Sequence, residues 1–359
     1  MILWFIGMLL SWCAGWLVFG RVTFIPKDGV PAAKAKRLSI VIPARNEANN
    51  LPRLFQSLQQ QNCIIHEVIL VDDGSTDQTQ TIARRYGTIV LSTPADGPGK
   101  AAACWQGAQA ATGDLLLFLD ADTAFLSKDG LSRLLEAFGT KGTEGLLSVQ
   151  PYHHVEKTYE QLSYVFNVVI MAGLNRFSIL GEKIQAGGAF GPCLLCTKRA
   201  YMQVNGHQDM ALGILDDIAL AQRFMSASLP IHLYGGRDLL TFRMYPQGVK
   251  QLMQGWSKDF ATAARITNGW LMVGIIGWII GNCTVIFSGL IYPWPIVAAL
   301  YACYYGQNVF FAKRVGSFRT VSLLLFPGYF FFFLLLFAWS AIQTHIRKKV
   351  TWKGRKIDL

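Results

Sequence analysis

Charge is what this chain has least of: 15% of its 359 residues are Asp, Glu, Lys or Arg, and Ile2 to Gly20 contains none of them. No basic residue precedes that stretch and no small-residue cleavage site follows it, so an uncleaved anchor is expected in place of a secretion signal. A disulfide framework is also missing. The seven cysteines are odd in number, scattered and mostly in apolar surroundings, as reduced thiols would be. Cys193 and Cys196 form a C-x-x-C pair, but zinc would need two more ligands and no second pair lies near, so both are expected to be buried structural residues. A Walker-type phosphate loop is absent too. Before Gly97-Pro98-Gly99-Lys100, Pro94 stands where the first glycine belongs, and Ala101 follows the lysine in place of Ser or Thr. Lys100, opening a helix after a glycine-rich turn, can still meet a phosphate or a sugar hydroxyl; the alternative is a surface lysine.

Apolar residues are abundant, at 52%. Besides Ile2 to Gly20, the stretches Trp270 to Tyr292, Pro293 to Ala312 and Val321 to Gln343 are each of about bilayer length. Arg21, Lys27, Lys34, Lys36 and Arg37 all follow the first span, which puts the N-terminus outside and the following domain in the cytoplasm, at a plasma membrane crossed more than once. The net charge of +11 sits mainly beside the apolar spans, and Arg347, Lys348, Lys349, Lys353, Arg355 and Lys356 form a juxtamembrane cluster. Anionic membrane lipids, and no nucleic acid, are therefore the expected partners of this charge. Three full crossings after a cytoplasmic domain would leave that basic tail outside. One late segment is thus expected to be re-entrant or interfacial: Pro293 to Ala312, with Gln307 and Asn308, or the last one at its Pro327-Gly328 break. The expected organisation is an anchor over 1–22, a catalytic domain over 38–245, an interface helix over 246–268, a membrane region over 270–343 and a basic tail over 344–359.

Leu38 to Ile42, Glu67 to Val71, Thr88 to Leu91 and Leu115 to Leu119 are short runs rich in Val, Ile and Leu, as expected of strands buried on both faces. Helical patterns separate them: Asn50 to Gln61, Asp77 to Tyr86 stopped by Gly87, and Lys100 to Thr112 stopped by Gly113. This alternation predicts an α/β fold with a mostly parallel, Rossmann-like sheet, whose ligands collect at the carboxyl ends of the strands. Those ends are polar. The first carries Pro43-Ala44-Arg45-Asn46-Glu47 and the second Asp72-Asp73-Gly74-Ser75-Thr76-Asp77. Here Asp72 and Asp73 can accept from a base or ribose, Gly74 permits close approach and Asp77 can cap a helix.

The fourth strand ends in Asp120-Ala121-Asp122. Alternation along a strand points both carboxylates to one side, where two like charges need a cation. An all-oxygen pair suits Mg²⁺ or Mn²⁺, which would in turn hold a diphosphate, and a nucleotide-sugar site follows. The alternative is a solvated loop. Further on, Asp216 and Asp217 open a helix, as a cap or as something more. Val249, Leu252, Met253, Trp256 and Phe260 recur at helical spacing beside Lys250 and Lys258, the pattern of a helix in a membrane interface or of a core helix.

In order and spacing, Val41 to Glu47, Val71 to Asp77, Gly99-Lys100, Leu119 to Asp122 and Leu215-Asp216-Asp217 resemble the inverting family 2 glycosyltransferases of the GT-A fold. The resemblance covers about Leu38 to Arg265. It implies that Pro43, Ala44, Arg45, Glu47, Asp72 and Asp73 bind the nucleoside, usually uridine. It further implies that Lys100, Asp120 and Asp122 bind the rest of the donor, with Asp122 on the metal, and that Asp217 is the catalytic base. Gly187, Gly188 and Ala189 fall in a stretch similar to the family's acceptor-side loop, and Asp216, Trp256 and Lys258 join them on that side. Polymer-making members carry Gln-x-x-Arg-Trp, whereas Gln251 to Lys258 has no Arg between its Gln and Trp, which argues against processive synthesis. The arrangement of spans is similar to the bacterial carotenoid-acid glycosyltransferases of the staphyloxanthin type. That likeness implies glucose transfer from UDP-glucose to the carboxylate of a lipid-soluble acceptor. The alternatives are a glycolipid or polyprenyl-phosphate glycosyltransferase and a non-enzymatic lipid-binding or transport subunit.

Overall fold

Runs of β-branched and leucine residues become strands wherever both faces can be covered. The computed structural model describes residues 1–27, 36–93, 99–210, 216–257 and 266–342, together with the strands Lys349–Trp352 and Arg355–Asp358. Its strands up to residue 242 are β1 (Leu38–Ala44), β2 (Glu67–Asp72), β3 (Ile89–Ser92), β4 (Leu115–Leu119), β5 (Thr123–Phe125), β6 (Leu146–Gln150), β7 (Tyr152–His153), β8 (Cys193–Thr197), β9 (Ile231–Gly235) and β10 (Leu240–Phe242). The chain divides into two compact units: Thr23–Tyr152 with Gly188–Arg243, and Met1–Val22 with His153–Gly187 and Met244–Leu359.

In the first unit seven strands form one sheet in the order β3-β2-β1-β4-β8-β6-β9. β1 runs parallel to β2 and β4, β2 to β3 and β6 to β9, whereas β8 is antiparallel to both its neighbours. The sheet is therefore mixed, and mostly parallel as its sequence implies. One face, with Ile40, Ile42, Leu117, Leu119 and Leu147, packs on the helices Leu51–Gln59 and Gly130–Thr140. On the other face the helix Lys100–Ala110 comes so close that a Cβ on Gly107 would lie 2.4 Å from Val41 Cγ1, which seats the helix directly over β1. Cys193 shares the core face with Leu195, and Cys196, three residues along the strand, lies on the opposite face. The two thiols therefore cannot converge on one metal, as expected of structural cysteines.

The buried Arg133 stitches the entering chain to this unit. Its guanidinium donates to Ile25 O and Pro26 O at 3.0 and 2.9 Å and to Asp238 O at 3.0 Å. Beside it Gly235 N donates to Thr23 O at 2.8 Å.

Among the described residues of the second unit, three helices are long and apolar enough to cross a membrane: Ile2–Phe19, Gly269–Leu290 and Val321–Ile342. The stretch Pro293 to Ala312 forms one continuous helix, Trp294–Val315, outside that set. Its polar residues are buried and bonded: Tyr164 OH donates to Asn308 Oδ1 and Asn308 Nδ2 to Asn282 Oδ1, both at 2.7 Å, and Trp278 Nε1 donates to Gln307 Oε1 at 3.0 Å. Just before Pro327-Gly328 the span changes from a 3₁₀ helix, Val321–Leu325, to an α-helix. Both residues lie in the first turn of the helix Phe326–Ile342, where a missing N–H costs nothing.

Val249–Ser257 is a helix, but its tryptophan does not face lipid. Trp256 is 4% exposed, stacks on Phe166 with ring centroids 5.0 Å apart, and donates to Ser163 Oγ at 3.0 Å. The expected interface face splits, with Leu252 and Trp256 buried and Val249 and Met253 exposed. Phe260 and Lys258 lie outside the described residues. Trp256→Ala is accordingly expected to destabilise the protein by about 3–5 kcal/mol, as truncation of a buried aromatic does, seen as a lower thermal unfolding midpoint in detergent.

Candidate functional site

The carboxyl ends of β1, β2 and β4 lie side by side, because β1 pairs with both others in parallel: Ala44 stands opposite Asp72, and Val41 opposite Phe118. Two groups of side chains are assembled there.

The first surrounds Asp73, which is buried at 6% exposure. Its Oδ1 accepts from Thr93 Oγ1 at 3.1 Å and from Gly99 N at 3.2 Å, and Arg45 Nη1 lies 3.8 Å from its Oδ2. Asp73 N donates to Ala44 O at 2.8 Å, so the end of β1, with Pro43, is tied to the same point. Glu47 braces the loop: its N–H donates to Thr79 Oγ1 at 2.8 Å and its Oε2 accepts from Asn50 Nδ2 at 2.6 Å. Asp72, 1% exposed, turns inward. Its Oδ2 accepts from Ser75 N at 3.2 Å and Gln80 Nε2 at 2.8 Å, a loop-holding arrangement. Asp77 accepts from Thr79 N and Ala48 N at 3.0 and 3.1 Å; these bonds outweigh its burial and hold its carboxyl below the ordinary range. Sequence reading missed Thr93 and Gln80. Thr93 carried a signal, since it directly follows a strand whose neighbour ends in the acidic pair.

The second group surrounds Asp120. Its Oδ1 is 2.5 Å from Nζ of Lys100, whose side chain is partly exposed but paired with this carboxylate. Burial works against the lysine's charge, but the Asp120 and Asp216 carboxylates outweigh it and hold its pKa above the ordinary value. Asp120 and Asp122 are not on one strand face: β4 stops at Leu119, and Ala121 and Asp122 form the turn that leads into β5 of the small sheet. The turn, not strand alternation, places them. Among the described residues no cluster of three or more His, Cys, Asp or Glu side chains could hold a metal by itself. The donor set of this turn, two carboxylates with no nitrogen or sulfur, fits a hard divalent ion that takes its remaining ligands from substrate phosphates and water.

Because β8 is antiparallel to β4, its start lies beside the end of β4, with Cys193 opposite Leu119. The residues just before it therefore reach the site: Asp120 N donates to Pro192 O at 3.0 Å, and Gly191 N donates to Asp217 Oδ2 at 2.9 Å. Asp217 Oδ1 accepts from Ile218 N at 2.9 Å. Burial, then the neighbouring Asp216 charge, push the Asp217 carboxyl up to about 6 against the opposing pull of Lys100 and the two N–H groups. Ala189 is buried behind this loop, and Phe190 exchanges two hydrogen bonds with Ser148 Oγ. The structure thus gathers Lys100, Asp120, Asp122, Asp216 and Asp217 in one unit with Arg45 and Asp73. Gly187 and Trp256 belong to the other unit, Gly188 opens the second stretch of the catalytic one, and Lys258 lies outside the described residues.

Comparison with known proteins supplies independent findings. Residues 39–204 match the model for glycosyl transferase family 2. The 4,4'-diaponeurosporenoate glycosyltransferase of Staphylococcus aureus strain N315 is 36% identical over 98% of this chain and 96% of its own length. Its counterpart in strain USA300 is 37% identical over 90% of this chain and 89% of its own. Among solved structures, the mannosyltransferase PcManGT from Pyrobaculum calidifontis, in complex with GDP-Man and Mn²⁺, covers 93% of this chain and 95% of its own at a TM-score of 0.54. At 17% identity that likeness is one of fold.

Proposed function

The chain belongs to the family 2 glycosyltransferases, and we propose that it moves glucose from UDP-glucose, with inversion, to the carboxylate of a lipophilic carotenoid acid at the cytoplasmic face of the plasma membrane. The observation that carries the reading is the grouping of Lys100, Asp120 and Asp217 around Gly191-Pro192, which offers cationic and acidic groups to the two sides of a reacting sugar. Arg45 and Asp73 would hold the nucleoside. Asp122, with Asp120, would hold Mg²⁺ or Mn²⁺, and that ion would supply Lewis-acid neutralisation of the diphosphate. Lys100 adds a fixed positive charge where the leaving group gains negative charge. Asp217 orients the acceptor oxygen for attack on the anomeric carbon from the opposite face, and takes its proton where it has one. The relatives named for 4,4'-diaponeurosporenoate support an acidic, apolar acceptor, and the three apolar helices support delivery of that acceptor from a bilayer.

The test is UDP release by the full chain in detergent, with UDP-glucose, Mn²⁺ and a carotenoid acid or its alcohol. Release with the acid alone, lost on adding EDTA, is expected. Preference for the alcohol or for a polyprenyl phosphate would replace the acceptor, and turnover with GDP-mannose only would replace the donor.

A further inference from the structure

We infer that Gly191 is the positioning residue for Asp217: its main-chain N–H sets the carboxylate, and its missing side chain lets that carboxylate and Lys100 close around it. The inference rests on the reading of Asp217 given above. An added Cβ at Gly191 would stand 3.1 Å from Asp217 Oδ2, 3.4 Å from Asp217 Cβ and 3.3 Å from Lys100 Nζ, so the glycine fills the space between an anion and a cation. The Asp217 carboxylate is held at both oxygens, by Ile218 N of its own helix and by Gly191 N of the segment that enters β8. Only the second bond fixes it relative to the donor side, because the next residue, Pro192, accepts from Asp120 N. Gly191-Pro192 is thus a two-residue strut: one end sets the Asp217 side chain, the other the backbone of the turn that carries Asp120 and Asp122. Its span is short and its C-terminal side enters β8 at once, so it has little freedom to drift. Lys100 and Asp216 are the charged groups whose fields act on Asp217 here.

A methyl group on this strut would displace Asp217 by tenths of an ångström, and misplacement on that scale lowers turnover without touching the nucleoside pocket. Gly191→Ala is expected to lower kcat about tenfold and to leave the donor KM within about twofold. In an Asp217→Ala background the same change should have almost no further effect, because the group it positions is gone. An unchanged kcat, or an equal loss in both backgrounds, overturns the inference. Should Gly191→Ala fail to fold, the native protein decides the matter. With ¹⁵N-glycine labelling, the Gly191 amide resonance should titrate with a midpoint near that of Asp217, at about 6, and lose this step in Asp217→Asn. A flat Gly191 resonance between pH ~4 and ~8 overturns the inference as well. If Asp217→Ala itself leaves turnover intact, the assignment of Asp217 fails on its own account, and the amide titration still reports whether the strut exists.

Discussion

Replacing Asp122 by Asn is expected to lower sugar transfer by about a thousandfold while the protein stays folded and membrane-bound. The side chain is half-buried in the turn between β4 and β5, and an amide of the same shape replaces it with little change in packing. Its effect is on charge. A diphosphate leaving group gains negative charge as the anomeric bond breaks, and a divalent ion bound partly through Asp122 would offset that gain. With one carboxylate removed, the turn keeps only Asp120, whose Oδ1 Lys100 already approaches. Metal-dependent binding of UDP should weaken with the rate, measured by titration with Mn²⁺ present and absent. Asp122→Asn turning over at the native rate in Mn²⁺, with the same sensitivity to EDTA, would show that the metal sits elsewhere.

The second large effect is at Asp217, and its size reports the acceptor. A hydroxyl must lose a proton as it attacks, so a positioned base is worth about 10²–10⁴ in rate. A carboxylic acid titrates near pH ~4 and arrives ionised, needing orientation more than deprotonation. For a carotenoid acid, Asp217→Asn is expected to lose between about tenfold and a hundredfold at pH ~7, part of it because an amide can accept only one of the two N–H groups that the carboxylate now holds. The pH profile separates the cases further. With its pKa pushed up to about 6, Asp217 is mostly ionised above pH ~7 and protonated below pH ~5. An alcohol acceptor would therefore show kcat falling as pH drops through about 6, a limb that vanishes in the Asn variant. An acid acceptor would keep its rate down to the titration of its own carboxyl. A loss of several orders of magnitude, with the limb at 6, would sink the glycosyl-ester reading.

Much of this was legible in the chain because it is local. Leu115 to Leu119 reads as a buried strand and forms one, and Asp216-Asp217 reads as a helix start and is one. The parallel half of the sheet, β1 to β4, follows from alternation of strand and helix. Strands β6, β8 and β9 do not, since the chain leaves for the other unit between Leu146–Gln150 and Cys193–Thr197, and the helices Lys198–Gln203 and Asp216–Ser226 precede Ile231–Gly235, so only the register of β8 against β4 tells where they belong. That antiparallel strand is also why Gly191 meets Asp217, a contact invisible to any local pattern. Asp120 and Asp122 stand out by their spacing after an apolar strand, but a turn and not strand pleat places them. For Trp256, an apolar stripe at helical spacing signals burial without naming the burying medium, and here that medium is Phe166 and Tyr245.

The catalytic unit is made of two separated stretches of chain, and this governs when an enzyme can exist during synthesis. Residues His153–Gly187 leave that unit for the helical one, where Tyr164 bonds to Asn308 and Phe166 packs on Phe333. Those partners emerge from the ribosome more than a hundred residues later. The strands β8 and β9, and with them Asp217, are thus synthesised before the helices Trp294–Val315 and Phe326–Ile342 that the excursion packs on. A chain that ended at Arg243 would therefore hold every residue of the catalytic unit and neither of the helices that carry Asn308 and Phe333.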